Sequence, residues 1–258
     1  MAKFLFFLFS FLTISLILPA QEKIATDRPD QTESSVLVPP HYFQAEFGFG
    51  KENLDKENYN LVHPTALFKY GLSKRFELRL ETNYVSAYEH LIPQSKTITG
   101  FEPIRIGFRT ALWEERKIVP KTSLLIHFGI PVLATKNFKA NHIAPSFLLA
   151  MQNSLTEHIA LSYNVGAEWD GFSSTAYWLY SVSSGYDLGK RWDAFFEIFG
   201  TAQRNELAQN SLDTGFGFYI SNNAKVDASA GIGITDAAAD YFFGIGFSFR
   251  IHCNKKVN

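Results

Sequence analysis

From residue 41 onward, apolar and polar side chains alternate with a period of two, and clusters of turn-forming residues interrupt the alternation at regular intervals. The last run is the clearest. Phe243, Ile245, Phe247, Phe249 and Ile251 share one face, while Gly244, Gly246, Ser248 and Arg250 share the other. Residues 225 to 235 repeat the scheme, with Val226, Ala228, Ala230, Ile232 and Ile234 set against Asp227, Ser229, Gly231 and Gly233. Phe76, Leu78, Leu80 and Tyr84 stand in the same way against Glu77, Arg79, Glu81 and Asn83. Read along the whole chain, the pattern predicts strands at 41–51, 60–72, 75–88, 101–114, 120–133, 142–154, 158–170, 175–188, 191–203, 209–221, 224–235 and 240–251. The number is twelve, which is even.

Strand length and loop spacing point away from a soluble sandwich. The predicted strands run to about 11 to 14 residues, against about 5 to 6 in globular domains and about 9 to 11 for a tilted bilayer crossing. Connections alternate in length: short turns fall at Leu72–Arg75, Leu155–His158, Leu188–Arg191 and Ser221–Ala224, and longer polar loops at 51–60, 88–100, 134–141 and 203–210. Short turns on one rim and longer loops on the other are the arrangement of an outer-membrane barrel, with the short turns periplasmic. Phe47, Phe49, Ile104, Ile106, Phe108, Tyr163, Trp169, Trp178, Tyr180, Phe216 and Phe218 fall on the apolar faces, and Lys69 and Arg250 are among the charged residues on the opposite ones. A soluble protein with twelve such strands would need a second apolar layer, and no amphipathic helix is available to form it. The expected fold is therefore all-β, a single antiparallel transmembrane β-barrel of about 12 strands.

The first twenty residues follow a different logic. Lys3 is followed by the apolar run Phe4–Leu18 and then by Pro19-Ala20 before Gln21, which reads as a secretory signal peptide. The run is shorter than the roughly 20 residues of a spanning helix. Four regions are expected: a signal peptide over 1–20, a periplasmic or lumenal segment over 21–40, the barrel over 41–251, and a tail over 252–258. Composition adds exclusions. Twenty-four basic and 25 acidic residues leave no positive excess for nucleic acid, and the single Cys253 rules out an internal disulfide framework or a Cys-rich zinc site.

A family resemblance rests on several motifs. The opening Thr26-Asp27-Arg28-Pro29-Asp30-Gln31-Thr32-Glu33-Ser34, then Val38-Pro39-Pro40 and Gln44-Ala45-Glu46, is similar to the start of exported bacterial proteins grouped as the "MetA pathway of phenol degradation" family. Pro64-Thr65, Tyr70-Gly71-Leu72, Arg75-Phe76-Glu77-Leu78-Arg79, Asp213-Thr214-Gly215, Val226–Gly231 and Gly244–Arg250 extend the resemblance over residues 26 to 251. It implies an outer-membrane β-barrel of the bacterial cell, often labelled a transporter. The implied role is passive passage of small molecules, aromatic or hydrophobic ones among them. Expected partners are outer-membrane lipid, the barrel-assembly machinery and a small solute; nucleic acid, cofactors and metals are not expected.

Candidate lumen residues follow from the polar faces: Glu46, Arg79, Glu81, Arg105, Arg109, Glu168, Glu197, Asp213 and Asp227. Arg79, Arg105 and Arg109 lie on the third and fourth predicted strands, which should pair. With Glu77, Glu81 and Glu46 they could form a charged constriction that selects solutes, or a salt-bridge network that fills a narrow barrel. In the N-terminal segment, Asp27, Arg28, Pro29, Asp30 and Glu33 could pair with lumen groups if the segment folds inward as a plug. Its three carboxylates could instead bind a cation, although exposed carboxylates are more commonly just solvated. The rival classes are a lipid-modifying enzyme of the outer membrane and a structural barrel with a closed lumen. His63, His127, His142 and His158, with Ser123 and Ser146, keep an enzyme in view, but no G-x-S-x-G or H-E-x-x-H spacing accompanies them.

Overall fold

The computed structural model describes residues 22–90 and 94–253. The expected signal peptide lies outside the described residues, as do residues 254–258 of the tail. Thirteen strands make one sheet: β1 (Tyr42–Asn53), β2 (Tyr59–Ser73), β3 (Phe76–Glu89), β4 (Lys96–Phe101), β5 (Ile104–Trp113), β6 (Lys121–Ile130), β7 (Ala144–Ser154), β8 (Ile159–Glu168), β9 (Tyr177–Asp187), β10 (Trp192–Gln203), β11 (Gln209–Ser221), β12 (Ala224–Gly233) and β13 (Tyr241–His252). Each pairs antiparallel with its neighbour, and β1 closes the sheet onto β13 in the register Tyr42↔His252 through Asn53↔Tyr241. Closure of β1 onto β13 joins the two ends of the sheet, the condition for placing strands in a membrane, and leaves only the short β4 without a strand on one side.

Twelve staves make the wall, because β4 and β5 are two parts of one. The upper part of β3 pairs with β4 (Tyr84↔Phe101) and the lower part with β5 (Glu81↔Arg105). Between them, Glu102-Pro103 breaks the ladder, since proline has no N–H to donate. The fourth stave thus departs from expectation twice: the strand expected over 101–114 is broken at 102–103, and β4 lies largely within the loop expected over 88–100. Beside β4, Thr135 replaces the missing strand contacts: its backbone N–H donates to the Phe101 carbonyl (2.9 Å) and its Oγ1 accepts from the Phe101 N–H (2.9 Å).

The wall is inside out relative to a soluble protein. Ile245 is 60 % exposed, Phe216 53 % and Ile106 47 %, whereas Glu46, Arg109 and Glu197 are 0 % exposed. Strand alternation alone produces this inversion, because each step along a strand reverses the side-chain direction. An apolar exterior of this extent requires lipid. Short connections (74–75, 155–158, 188–191, 222–223) share one rim with the longer turn 114–120. Loops 54–58, 131–143, 169–176, 204–208 and 234–240 form the other rim. In the first of these, Asp55 accepts hydrogen bonds from the Asn58 side chain (2.7 Å) and from the Glu57 and Asn58 N–H groups (both 2.8 Å). These bonds, the Asn58 amide first, hold the Asp55 carboxyl below its ordinary range.

Candidate functional site: a lumen filled by the N-terminal segment

Residues 22–40 lie inside the barrel. The chain enters at the short-turn rim, where the Ile24 N–H donates to the Asn222 carbonyl (2.8 Å) and Lys23 Nζ reaches Asp187 (3.2 Å). It leaves by the same rim: the Val38 N–H donates to Glu77 Oε2 (2.7 Å) and the His41 N–H to the Gly71 carbonyl (2.8 Å). A Cβ at Gly71 would collide with the carbonyl oxygens of Val38 and Pro39, so glycine lets the returning chain lie against β2.

Asp27 is the centre of the segment. Its carboxylate receives Lys69 Nζ (2.8 Å), Arg79 Nη1 (2.9 Å) and Arg109 Nη2 (3.1 Å), and also accepts from the Ser34 N–H (3.0 Å). Its own N–H donates to Glu46 Oε2 (3.0 Å). Around this knot, Lys69 pairs with Glu46, Arg79 with Glu33 (3.1 Å) and Glu77 (3.3 Å), and Arg109 with Glu33. Cross-strand register creates the wall half of the knot: Lys69 lies opposite Arg79 and Glu77 opposite Arg109. Neighbouring cations on a buried wall are tolerable only with anions between them, and Asp27 and Glu33 supply these.

A second attachment lies across the lumen. The Gln31 N–H donates to Glu197 Oε2 (2.7 Å), and Thr32 Oγ1 bonds both Glu197 Oε1 and Ser181 Oγ (2.7 Å to the latter). The Asn164 amide brackets Glu33, accepting from its N–H (2.7 Å) and donating to its carbonyl (3.1 Å). Arg28 reaches the opposite wall, where Nη2 donates to Asp227 Oδ1 and to the Ile245 carbonyl (both 3.2 Å). Ser183 Oγ donates to Asp30 (3.3 Å).

The candidate residues therefore divide into groups. Glu46, Arg79 and Arg109 meet Asp27 and Glu33, whereas Arg105 stands apart with Glu168 (2.7 Å), Glu81 (3.8 Å) and Ser146 (2.9 Å). Glu197 lies beside Asp213 across the β10–β11 ladder, and Asp227 holds Arg28. Pro29 is buried in the middle of the segment. Asp27 and Glu33 are occupied by side-chain cations, an arrangement that leaves them unlike the solvated carboxylates of an exposed tail. Lys69, Asn164, Ser181 and Lys225 also carry the site, and their inward parity was the one available signal. His127 faces Ser146 across β6 and β7, but that hydroxyl accepts its hydrogen bond from Arg105. His142 and His158 lie in connections on opposite rims.

Cavities lie on both sides of the segment. One of 310 Å³ opens toward the long loops and one of 410 Å³ toward the short turns; Arg28 and Pro29 line both. These two residues are the part of the segment that both cavities touch.

The family described as "Putative MetA-pathway of phenol degradation" matches residues 26–251. The chain belongs to that family. No curated protein matches its sequence. Among solved structures, this family member is similar to the COG4313 outer membrane channel from Pseudomonas putida F1, at a TM-score of 0.67 and 9 % identity over 86 % of this chain and 99 % of that one. It is also similar to the NanC porin, at a TM-score of 0.55 and 9 % identity over 81 % of this chain and 100 % of the porin. These similarities are of fold. Together with the lipid-facing apolar wall and the family, they place this MetA-pathway family member in the bacterial outer membrane.

Proposed function

We propose that the protein is a channel for passive passage of small solutes across the outer membrane, and that residues 22–40 are its plug. The observation that carries this reading is the partition at Arg28-Pro29, with a cavity on each side and a polar wall along both. A barrel serving only as a scaffold has no need of two vestibules of 310 and 410 Å³ separated by a polar segment. The knot at Asp27 sets the resting position. Displacement of Arg28-Pro29 joins the vestibules, and the remaining wall charges, Arg105 with Glu81 and Glu168, then face the solute. Positive and negative groups alternate along that wall, so strong selection by charge sign is not expected. The family description and the polar yet partly aromatic lumen favour small aromatic or weakly polar molecules as cargo, and no catalytic role is assigned to the lumen. The signal peptide over residues 1–20 and insertion by the barrel-assembly machinery belong to the same reading.

Single-channel recording of the mature protein in a planar bilayer tests it. Infrequent small openings are expected, converting to steady conductance in Asp27→Asn. Absence of conductance in both, with the barrel folded, would overturn the channel reading.

A further inference from the structure

Inward positions of the barrel are polar with few exceptions, and two of the exceptions meet. Phe199 on β10 and Phe242 on β13 both project into the vestibule on the long-loop side, with ring centroids 5.7 Å apart at an interplanar angle of 67°. The outward neighbours of Phe199, Phe196 and Ile198, are 52 % and 42 % exposed, as lipid-facing residues should be. Phe199 thus shares the inward face with Glu197 but departs from that face's polar character. Nothing in lipid contact or barrel closure calls for an aromatic pair here.

The floor of the same vestibule is Arg28. Its guanidinium lies over the cross-strand pair Gly48 and Gly246, where a Cβ on either glycine would strike it. The missing side chains let the guanidinium lie flat against the wall. Its charge is already matched by Asp227 at 3.2 Å, and Glu52, which also lines the cavity, accepts from Asn60 (3.1 Å). The other lining cation, Lys51, lies on the outward parity of β1 with its Nζ over the Tyr59 ring (4.4 Å), so an incoming carboxylate would find no uncompensated cation inside the vestibule to offset its desolvation. Arg28 still offers N–H donors: Nη2 serves both wall partners and Nε is buried against the wall, which leaves Nη1 for a ligand.

We propose that this 310 Å³ vestibule binds a small neutral aromatic molecule bearing one oxygen acceptor, its ring against Phe199 and Phe242 and its oxygen on Arg28. The volume falls at the small end of ligand sites. Edge-to-face and offset contacts with two phenylalanines favour a flat ring over a saturated one. Because Arg28 is also the partition, the ligand sits on the group that must move for passage. The assignment deepens the channel reading and rests on it for its place in transport, though binding at the site does not require that the barrel conduct.

The test uses the full mature protein in lipid nanodiscs, with 4-fluorobenzyl alcohol as probe and ¹⁹F line broadening as readout. Phe199→Leu and Phe242→Leu should each weaken binding about two- to tenfold. Phe216→Leu on the lipid face should leave it unchanged, which separates the site from partition into lipid. Cyclohexylmethanol should compete poorly, and so should benzoate. Equal probe broadening in wild type, Phe199→Leu and Phe242→Leu would overturn the site, as would equal competition by the saturated ring. Benzoate competing better than benzyl alcohol would overturn the neutral-ligand assignment. Conductance measured on the same preparation keeps the two readings apart: conduction without binding removes this inference alone, and binding without conduction removes the channel alone.

Discussion

Replacing Asp27 by Asn should unseat the plug while leaving the barrel intact. The substitution keeps side-chain volume and one acceptor oxygen but removes the charge that three cations share at 2.8, 2.9 and 3.1 Å. Deleting one member of a buried ion pair costs about 3–5 kcal/mol, because its partners are left in a poorly solvated site. Glu33, Glu46 and Glu77 remain beside the three cations, so the lower end of the range applies, about 3 kcal/mol. At about 1.4 kcal/mol per decade, the unseated population rises roughly 150-fold. Ser35 provides the readout. It is 1 % exposed and has a single long side-chain bond, 3.4 Å to Gln152, so Ser35→Cys is a mild change in a background where Cys253→Ser removes the one native thiol. When reclosure is faster than reaction, the rate of maleimide labelling at position 35 reports the unseating equilibrium. A rise of less than about threefold on Asp27→Asn, with the sheet content unchanged by circular dichroism, would refute the view that Asp27 holds the segment.

Further expectations follow from other parts of the molecule. Glu197→Ala removes the acceptor for the Gln31 N–H and the Thr32 hydroxyl; at about 0.5–1.5 kcal/mol for each of the two bonds, labelling at Ser35→Cys should rise roughly 5- to 150-fold. Ile245→Arg places a charge on the lipid face of β13 and should lower barrel stability by about 2–4 kcal/mol if it lies at mid-membrane, read from urea unfolding in vesicles. Arg250→Lys, which keeps a charge on the lumen side of the same strand, should cost far less. Gly71→Val should hinder the return of residues 38–39 past β2 and raise labelling without changing sheet content. For Asp55, a carboxyl lowered in the folded state contributes stability that is present above its unfolded pKa and lost as pH falls through the folded one. Asn58→Ala should therefore raise the Asp55 carboxyl toward its ordinary value in an NMR titration.

Much of the fold was legible because the strand signal is local. A period of two needs only neighbouring residues, so the strands and their lipid and lumen faces could be read from runs such as Phe243–Ile251 without knowing what paired with what. The inward direction of Glu46, Arg79, Arg109, Glu197, Asp213 and Asp227 followed from the same parity. Parity also places Phe199 on the inward face, two residues after Glu197, but its apolar side chain gives no sign there of a role, and nothing local shows that it meets Phe242. The Glu102-Pro103 break was likewise hidden within a run that reads as one continuous strand.

The sequence by itself determined an exported β-barrel with a lipid-facing apolar wall and a charged interior, because alternation and turn chemistry are properties of adjacent residues. Tertiary structure decided where residues 22–40 go, which arginines share an anion and which stand apart, and where aromatic rings meet in the lumen. Asp27 is 82 residues from Arg109 and Arg28 is 199 from Asp227. Only closure of β1 onto β13 brings such groups within hydrogen-bond reach, since contacts across a lumen depend on the circumference and register of the whole sheet.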